Sequence, residues 1–214
     1  MRRYVTEFIG TFFLVLTIGL TVLQESPFAP LVIGASLMVM VYMGGHVSGA
    51  HYNPAVSLAL LMRGKLSAAD FVPYVIAQLA GAFVAAFTVR GILGRTFAPS
   101  PGVTVGNGTA IMVEALFTFA LALVVLNVAT ARKTEGNSFY GLAIGFTVAV
   151  GAFAGGAISG GAFNPAVGLG PTLVHSMMGP GSLSHAWIYI VGPCLGAVVA
   201  ALVFGMQEEP VGLN

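Results

Sequence analysis

The chain has 214 residues, of which 57% are hydrophobic and only 7% charged, with a formal net charge of +1. A soluble domain carries roughly 25% charged residues, so this composition excludes one and points to a protein embedded in a bilayer. The net charge says nothing about partners, but no basic patch suggests nucleic acid, and no such partner is expected.

The first apolar segment, Tyr4–Leu23, follows Arg2 and Arg3 and superficially resembles a secretory signal. Glu7 interrupts it, no small-residue cleavage site follows and the segment echoes later in the chain, so it reads as a membrane span. After Ser26-Pro27 and Pro30 comes a second span, Leu31–Gly45. Gly49-Ala50-His51-Tyr52 then leads into Asn53-Pro54-Ala55, which opens a short apolar segment, Pro54–Met62. Asn followed by Pro is a helix start: Asn caps free backbone N–H groups, and Pro fits the first turn, where its missing donor is not needed. Such a segment, at about 1.5 Å per residue, reaches roughly half of a ~30 Å hydrocarbon core.

Beyond Arg63-Gly64-Lys65 the third span is Phe71–Leu93, and beyond Pro99-Ser100-Pro101-Gly102 the fourth is Thr109–Ala129. Arg132-Lys133 separates this from Phe139–Ala157, the fifth. Gly160-Gly161-Ala162-Phe163 precedes a second Asn-Pro-Ala, Asn164-Pro165-Ala166, and a second short segment, Pro165–Val174. Gly179-Pro180-Gly181 leads to the last span, Ala186–Gly205, which carries the single cysteine, Cys194. With no second thiol it forms no intramolecular disulfide and reads as a packing residue. Between Glu135 and Glu208 there is no charged residue at all. All six spans are taken as helices, because unpaired strands cannot cross lipid.

The chain repeats itself. Val47–Val56 echoes Ile158–Val167, Glu7 and Glu114 both fall early in a span, and Tyr74–Ala82 echoes Tyr189–Ala197. The expected fold is an all-α membrane protein, a single channel domain over 1–214 with six transmembrane helices and two re-entrant half-helices. Its repeats are about 1–104 and 105–214. Three spans per repeat force opposite orientations, an inverted repeat. Arg2, Arg3, Arg63, Lys65, Arg132 and Lys133 fall on one side and only Arg90 and Arg95 on the other, which predicts both termini in the cytoplasm.

In an inverted repeat the two half-helices enter from opposite faces, and their N-termini meet near the midplane. Each carries roughly half a positive charge and free N–H groups. Asn53 and Asn164 can then donate towards a lumen, while small Ala55 and Ala166 let the ends abut. The arrangement repels cations and orients a neutral acceptor such as water. The preceding segments, Gly49, Ala50, His51 and Tyr52 and Gly160, Gly161, Ala162 and Phe163, are expected to be extended, with carbonyls filed along the pore.

The doubled Asn-Pro-Ala motif, the six spans and the early glutamate in each half together resemble the aquaporin, or major intrinsic protein, family, over essentially the whole chain. The resemblance implies a passive channel with one pore per subunit, assembled as a homotetramer in the cell membrane. Glu7 and Glu114 would be buried structural carboxylates that hold the loop backbones. His51 matches a histidine whose carbonyl lines the pore.

The chain departs from the family where an arginine usually follows the second motif, since the residue here is Val167. Carried over by position, the selectivity ring would be Ile33, Ala152, Gly161 and Val167. A ring without a cation or a side-chain donor predicts passage of small uncharged solutes besides water, such as glycerol, urea, ammonia or metalloid acids. The rival within the family is a strictly water-selective pore. Glycerol-conducting relatives usually place aspartate where this chain has Gly168, whereas valine after the second motif resembles plant tonoplast-type members and the short termini resemble prokaryotic ones.

His46 is expected to pack against the first loop, and His175 and His185 to sit in solvated loop positions. No pair of histidines has metal-site spacing, and neither metal nor cofactor is expected. No nucleophile–base pair or phosphate loop suggests an enzyme. An ion-coupled secondary transporter is the rival of another class, with Glu7 and Glu114 as its only intramembrane ionisable groups. An adhesion or scaffold role would need more surface than the short Gly/Pro-rich loops offer.

Overall fold

The computed structural model describes residues 1–208. Eight α-helices follow one another: α1 (Arg2–Leu23), α2 (Ala29–Ser48), α3 (Pro54–Met62), α4 (Ala68–Leu93), α5 (Asn107–Thr130), α6 (Tyr140–Ser159), α7 (Pro165–Met178) and α8 (Ile188–Gln207). Six of them are long and apolar enough to cross a membrane, while α3 and α7 are the short ones. The chain is a multi-pass membrane protein, and the described residues contain no strand.

Helix ends follow local backbone chemistry. The expected second and fifth spans stop at Gly45 and Ala157, but α2 and α6 run on to Ser48 and Ser159. They end where Gly49 (φ 87°) and Gly160 (φ 96°) take the left-handed conformation that closes a helix at little cost only for glycine. The second short helix is also longer than expected. It passes Val174 and continues to Met178, because Pro171 is accommodated within it and the first real stop is Gly179-Pro180. At its start α4 is capped by Ser67, whose hydroxyl accepts from the Asp70 N–H at 3.1 Å.

Packing between the helices depends on positions without a side chain. Helix α1 lies along α4, and a Cβ on Gly81 would fall 2.4 Å from the Phe8 carbonyl oxygen. Helix α5 lies along α8 in the same way, and a Cβ on Gly196 would fall 2.2 Å from the Ala115 carbonyl oxygen. Where α2 crosses α6, Gly34 and Gly145 face each other's backbone at 2.5 and 2.4 Å by the same measure. In lipid, where apolar burial between helices contributes little, such close backbone approach is a main source of association. Large apolar side chains such as Ile76, Leu116, Phe146 and Leu202 are exposed on the outer surface, suited to lipid.

The short helices occupy the middle. Helix α3 packs on α8 and α7 on α4, so each short helix rests on a long helix from the other half of the chain. At its C-terminus α3 is held by Arg63, which pairs with Glu208 and lies 5.0 Å over the Phe204 ring. A cation there also complements the negative end of the helix dipole.

Candidate functional site

The N-termini of α3 and α7 meet inside the bundle. Asn53 and Asn164 are both extended N-caps, with φ/ψ of −156°/120° and −161°/116°. Asn53 Oδ1 accepts from the Ala55 N–H at 2.8 Å, and Asn164 Oδ1 accepts from the Ala166 N–H at 2.9 Å. Each amide also reaches across to the other loop. Asn53 Nδ2 donates to the Phe163 carbonyl at 2.9 Å, and Asn164 Nδ2 donates to the Tyr52 carbonyl at 2.8 Å. An amide nitrogen carries two hydrogens, so each side chain keeps a second donor beyond this cross-bond.

Ala55 and Ala166 are fully buried where the two helix ends abut, and neither lies on a cavity wall. Their small size admits the contact, but only the two asparagines of the motifs face open space. Two carbonyls of the expected file also carry a structural bond. The Tyr52 and Phe163 carbonyls each accept from the opposite asparagine and so tie the two loops together, with a second lone pair left on each oxygen. No sequence pattern could reveal this, since donor and acceptor come from different halves of the chain.

Both loops are bent, and both are gripped from behind. Ala50, Tyr52 and Phe163 have φ of 51°, 51° and 49°, a left-handed conformation that costs about 1–3 kcal/mol at each non-glycine residue. Glu7, fully buried, lies behind the first loop. Its Oε1 accepts from Ser48 Oγ at 2.7 Å and the His51 N–H at 3.0 Å. Its Oε2 accepts from the Tyr52 N–H at 2.7 Å and Gln78 Nε2 at 2.8 Å. Glu114, equally buried, grips the second loop: Oε1 accepts from Ser159 Oγ at 2.7 Å and the Ala162 N–H at 3.0 Å, and Oε2 from the Phe163 N–H at 2.6 Å. Tyr74 and Tyr189 complete the pattern, donating to the Ser48 and Ser159 carbonyls at 2.7 and 2.6 Å. Neither carboxylate is on the wall of the two cavities beside the loops.

In front of the loops lies a cavity of about 490 Å³. Ile33, Ala152, Gly161 and Val167 all line it, as do Asn53 and Asn164. Of the loop residues named from sequence, Ala50, His51, Tyr52, Gly160, Gly161, Ala162 and Phe163 are on its wall, and Gly49 is not. Gly49 lines a second cavity of about 270 Å³ on the side of the N-terminus, with Arg3, Lys65 and Asp70. His51 and Val125 belong to both walls, so the two spaces abut there. The His51 ring is buried, with Nδ1 3.0 Å from Ser57 Oγ and its centroid 4.9 Å from that of Tyr74. Among the described residues no carboxylate, Lys or Arg lines the larger cavity, and the rest of its wall is largely aliphatic, including Leu14, Ile18, Leu37 and Ile144.

Of the other histidines, His46 and His175 differ from expectation. His46 is exposed near the end of α2 rather than packed on the loop, because its helical position turns it outward. His175 is in the last turn of α7, with Nδ1 2.7 Å from Thr96 Oγ1, and is no loop residue. His185 is half-buried ahead of α8. At Gly168 a Cβ would meet the Tyr189 Cβ at 2.2 Å, so aspartate has no room there while Tyr189 stays in place. Sequence reasoning also missed part of the wall: Phe97, Ala98, Pro99 and Ser100 line the large cavity. The only signal was Pro99-Ser100-Pro101-Gly102, which reads as a turn and says nothing about what it covers.

Two short helices meeting at asparagine caps, among six helices long enough to cross a membrane and facing one cavity, define the class of membrane channels built on re-entrant half-helices. The model of the major intrinsic protein family matches residues 1–204, and the chain belongs to that family, whose members are transport channels and not enzymes. It is 39% identical to glycerol uptake facilitator protein-like 6 of Lactiplantibacillus plantarum, over 97% of this chain and 100% of that protein. It is 35% identical to aquaporin NIP1-1 of Zea mays over 96% of this chain and 74% of that protein, and 35% identical to nodulin-26 of Glycine max over 96% and 78%. Among solved structures it is similar to the aquaglyceroporin from Plasmodium falciparum, with a TM-score of 0.85 and 27% identity over 95% of this chain and 94% of that one.

Proposed function

We propose that the protein is a passive channel for water and small uncharged solutes such as glycerol, urea, ammonia or undissociated metalloid acids, with Ile33, Ala152, Gly161 and Val167 as its selectivity ring. One observation carries this reading: the four positions share a single cavity with both asparagines, and none of the four offers a charge or a polar side chain. Wetting of such a ring depends on backbone and on neighbouring polar groups, so it places no fixed cation in the way of a polyol. The similarity to a glycerol uptake facilitator-like protein and to an aquaglyceroporin supports the same solute class.

Ions would be excluded at the asparagines. Two helix N-termini face one another there, and the positive ends of their dipoles oppose a cation. The remaining Nδ2 donors orient a water oxygen, which breaks a continuous proton-conducting file. With Glu7 and Glu114 turned away from its wall, no carboxylate among the described residues lines the cavity to couple solute to an ion. The residues before and after about 104–105 would be inverted repeats, with both termini in the cytoplasm, and the subunits would assemble as a homotetramer in the cell membrane.

The test is stopped-flow light scattering on proteoliposomes. Rapid shrinkage in sucrose followed by rapid reswelling in glycerol or urea supports the reading. Shrinkage without reswelling makes the channel water-selective, and saturable flux that follows an ion gradient makes it a transporter.

A further inference from the structure

We propose that Ser100 is a specificity-determining residue, the hydrogen-bond station for hydroxylated solutes on the far side of the asparagines from the N-terminus; this rests on the reading of the pore as a solute channel. The wall of the large cavity contains five residues with hydrogen-bonding side chains: His51, Tyr52, Asn53, Asn164 and Ser100. The first four belong to the two loops at the centre, and the Tyr52 hydroxyl is spent on the Met40 carbonyl at 2.9 Å. Apart from them, Ser100 is the remaining described lining residue whose side chain can donate and accept a hydrogen bond. It is exposed and makes no hydrogen bond within the described residues.

Ser100 is also held in place. The segment that carries it is fastened at three points. Arg95 Nη1 donates to the Leu23 carbonyl at 2.8 Å, Thr96 Oγ1 lies 2.7 Å from His175 Nδ1, and the Gly102 N–H donates to the Ile158 carbonyl at 3.0 Å. Prolines on both sides restrict the backbone further: Pro99 and Pro101 fix their own φ, and a residue before proline is driven to an extended conformation. Ser100 is brought against the second loop, where a Cβ on Gly160 would lie 2.8 Å from its nitrogen and 2.9 Å from its carbonyl oxygen. Gly160 adjoins Gly161, so the Ser100 backbone lies next to the apolar ring. A polyol that sheds water to enter that ring needs replacement partners, and an unmatched hydroxyl is the largest barrier to its passage. A preorganised hydroxyl next to the ring lowers that barrier without narrowing it.

The experiment compares wild type, Ser100→Ala and Ser100→Thr in proteoliposomes, with glycerol and water permeability measured on the same vesicles. In Ser100→Ala the ratio of glycerol to water permeability is expected to fall about fivefold, the equivalent of one net hydrogen bond, and in Ser100→Thr to recover. An unchanged ratio in Ser100→Ala overturns the inference and leaves the channel reading standing. A proportional fall in both permeabilities also overturns it, since it would mean that Ser100 only shapes the loop. A wild type that passes water but no glycerol overturns the solute reading itself, and this inference with it.

Discussion

Replacing Glu114 by glutamine removes one oxygen from a carboxylate that meets nothing but donors. Its two oxygens accept from Ser159 Oγ, the Ala162 N–H and the Phe163 N–H. A glutamine in the same place presents one oxygen and one NH2 group, so at least one donor faces another donor. The stranded backbone N–H and the lost charge-assisted bond together cost roughly 2–4 kcal/mol. That is a large share of the ~5–15 kcal/mol that holds a typical domain folded. The loss falls on Phe163, whose left-handed φ of 49° the carboxylate supports and whose carbonyl accepts from Asn53. The loop should therefore relax and withdraw the acceptor that aims the Asn53 amide. We expect a lower melting temperature in detergent and water permeability reduced roughly tenfold per reconstituted channel, since ~1.4 kcal/mol already shifts a population tenfold. Melting by intrinsic fluorescence and stopped-flow scattering on the same preparation give both numbers. If Glu114→Gln melts and conducts like wild type, the carboxylate does not hold the loop. If it keeps stability and water flux but changes the decay of a pH gradient, Glu114 is a proton relay and the structural account fails.

Three further outcomes follow from the same geometry. Val167→Arg puts a cation and a long side chain into the apolar ring; glycerol-driven reswelling should drop more than tenfold, to the order expected when a pocket rejects a solute by several buried contacts, with water flux persisting. Equal glycerol flux in this variant would mean that Val167 is not at the constriction. Asn53→Asp exchanges the amide that donates to the Phe163 carbonyl for an oxygen that repels it, and should lower thermal stability by roughly 1–3 kcal/mol while admitting a cation leak measurable by electrophysiology. A stable, ion-tight Asn53→Asp channel would contradict the cross-loop assignment. Gly168→Asp forces a Cβ to within 2.2 Å of the Tyr189 Cβ and should cost about 1–3 kcal/mol in overpacking, read as reduced membrane yield and melting temperature. Normal yield with unchanged melting would show that α8 yields at Tyr189 more readily than close packing allows.

How far the chain can be read without its tertiary structure depends on the range of each interaction. The start of α3 at Pro54 and of α7 at Pro165 was legible because Asn caps and Pro starts act within one turn of backbone. The six long helices were legible because lipid leaves the backbone few other solutions, and the ring positions Ile33, Ala152, Gly161 and Val167 came only from the resemblance to the family. Their sharing of one cavity is a fact of the assembled bundle, set by how α2, α6 and the second loop pack.

Errors arose where the deciding partner lay far away in sequence. The exact ends of α2 and α6 waited on which glycine would take a positive φ, and that depended on the loop beyond it being held by Glu7 or Glu114. The cross-loop bonds to the Tyr52 and Phe163 carbonyls could not be read either, because their donors, Asn164 and Asn53, sit in the opposite half of the chain. Ser100 could not be placed on the wall, because a proline-rich turn carries no record of the surface it folds over. The sequence by itself determined what each segment can form, through backbone chemistry and hydrophobicity that act locally. Only the tertiary structure decided which polar atoms are consumed in holding the two loops together and which remain for whatever passes between them, since that division depends on contacts between distant residues that no local pattern encodes.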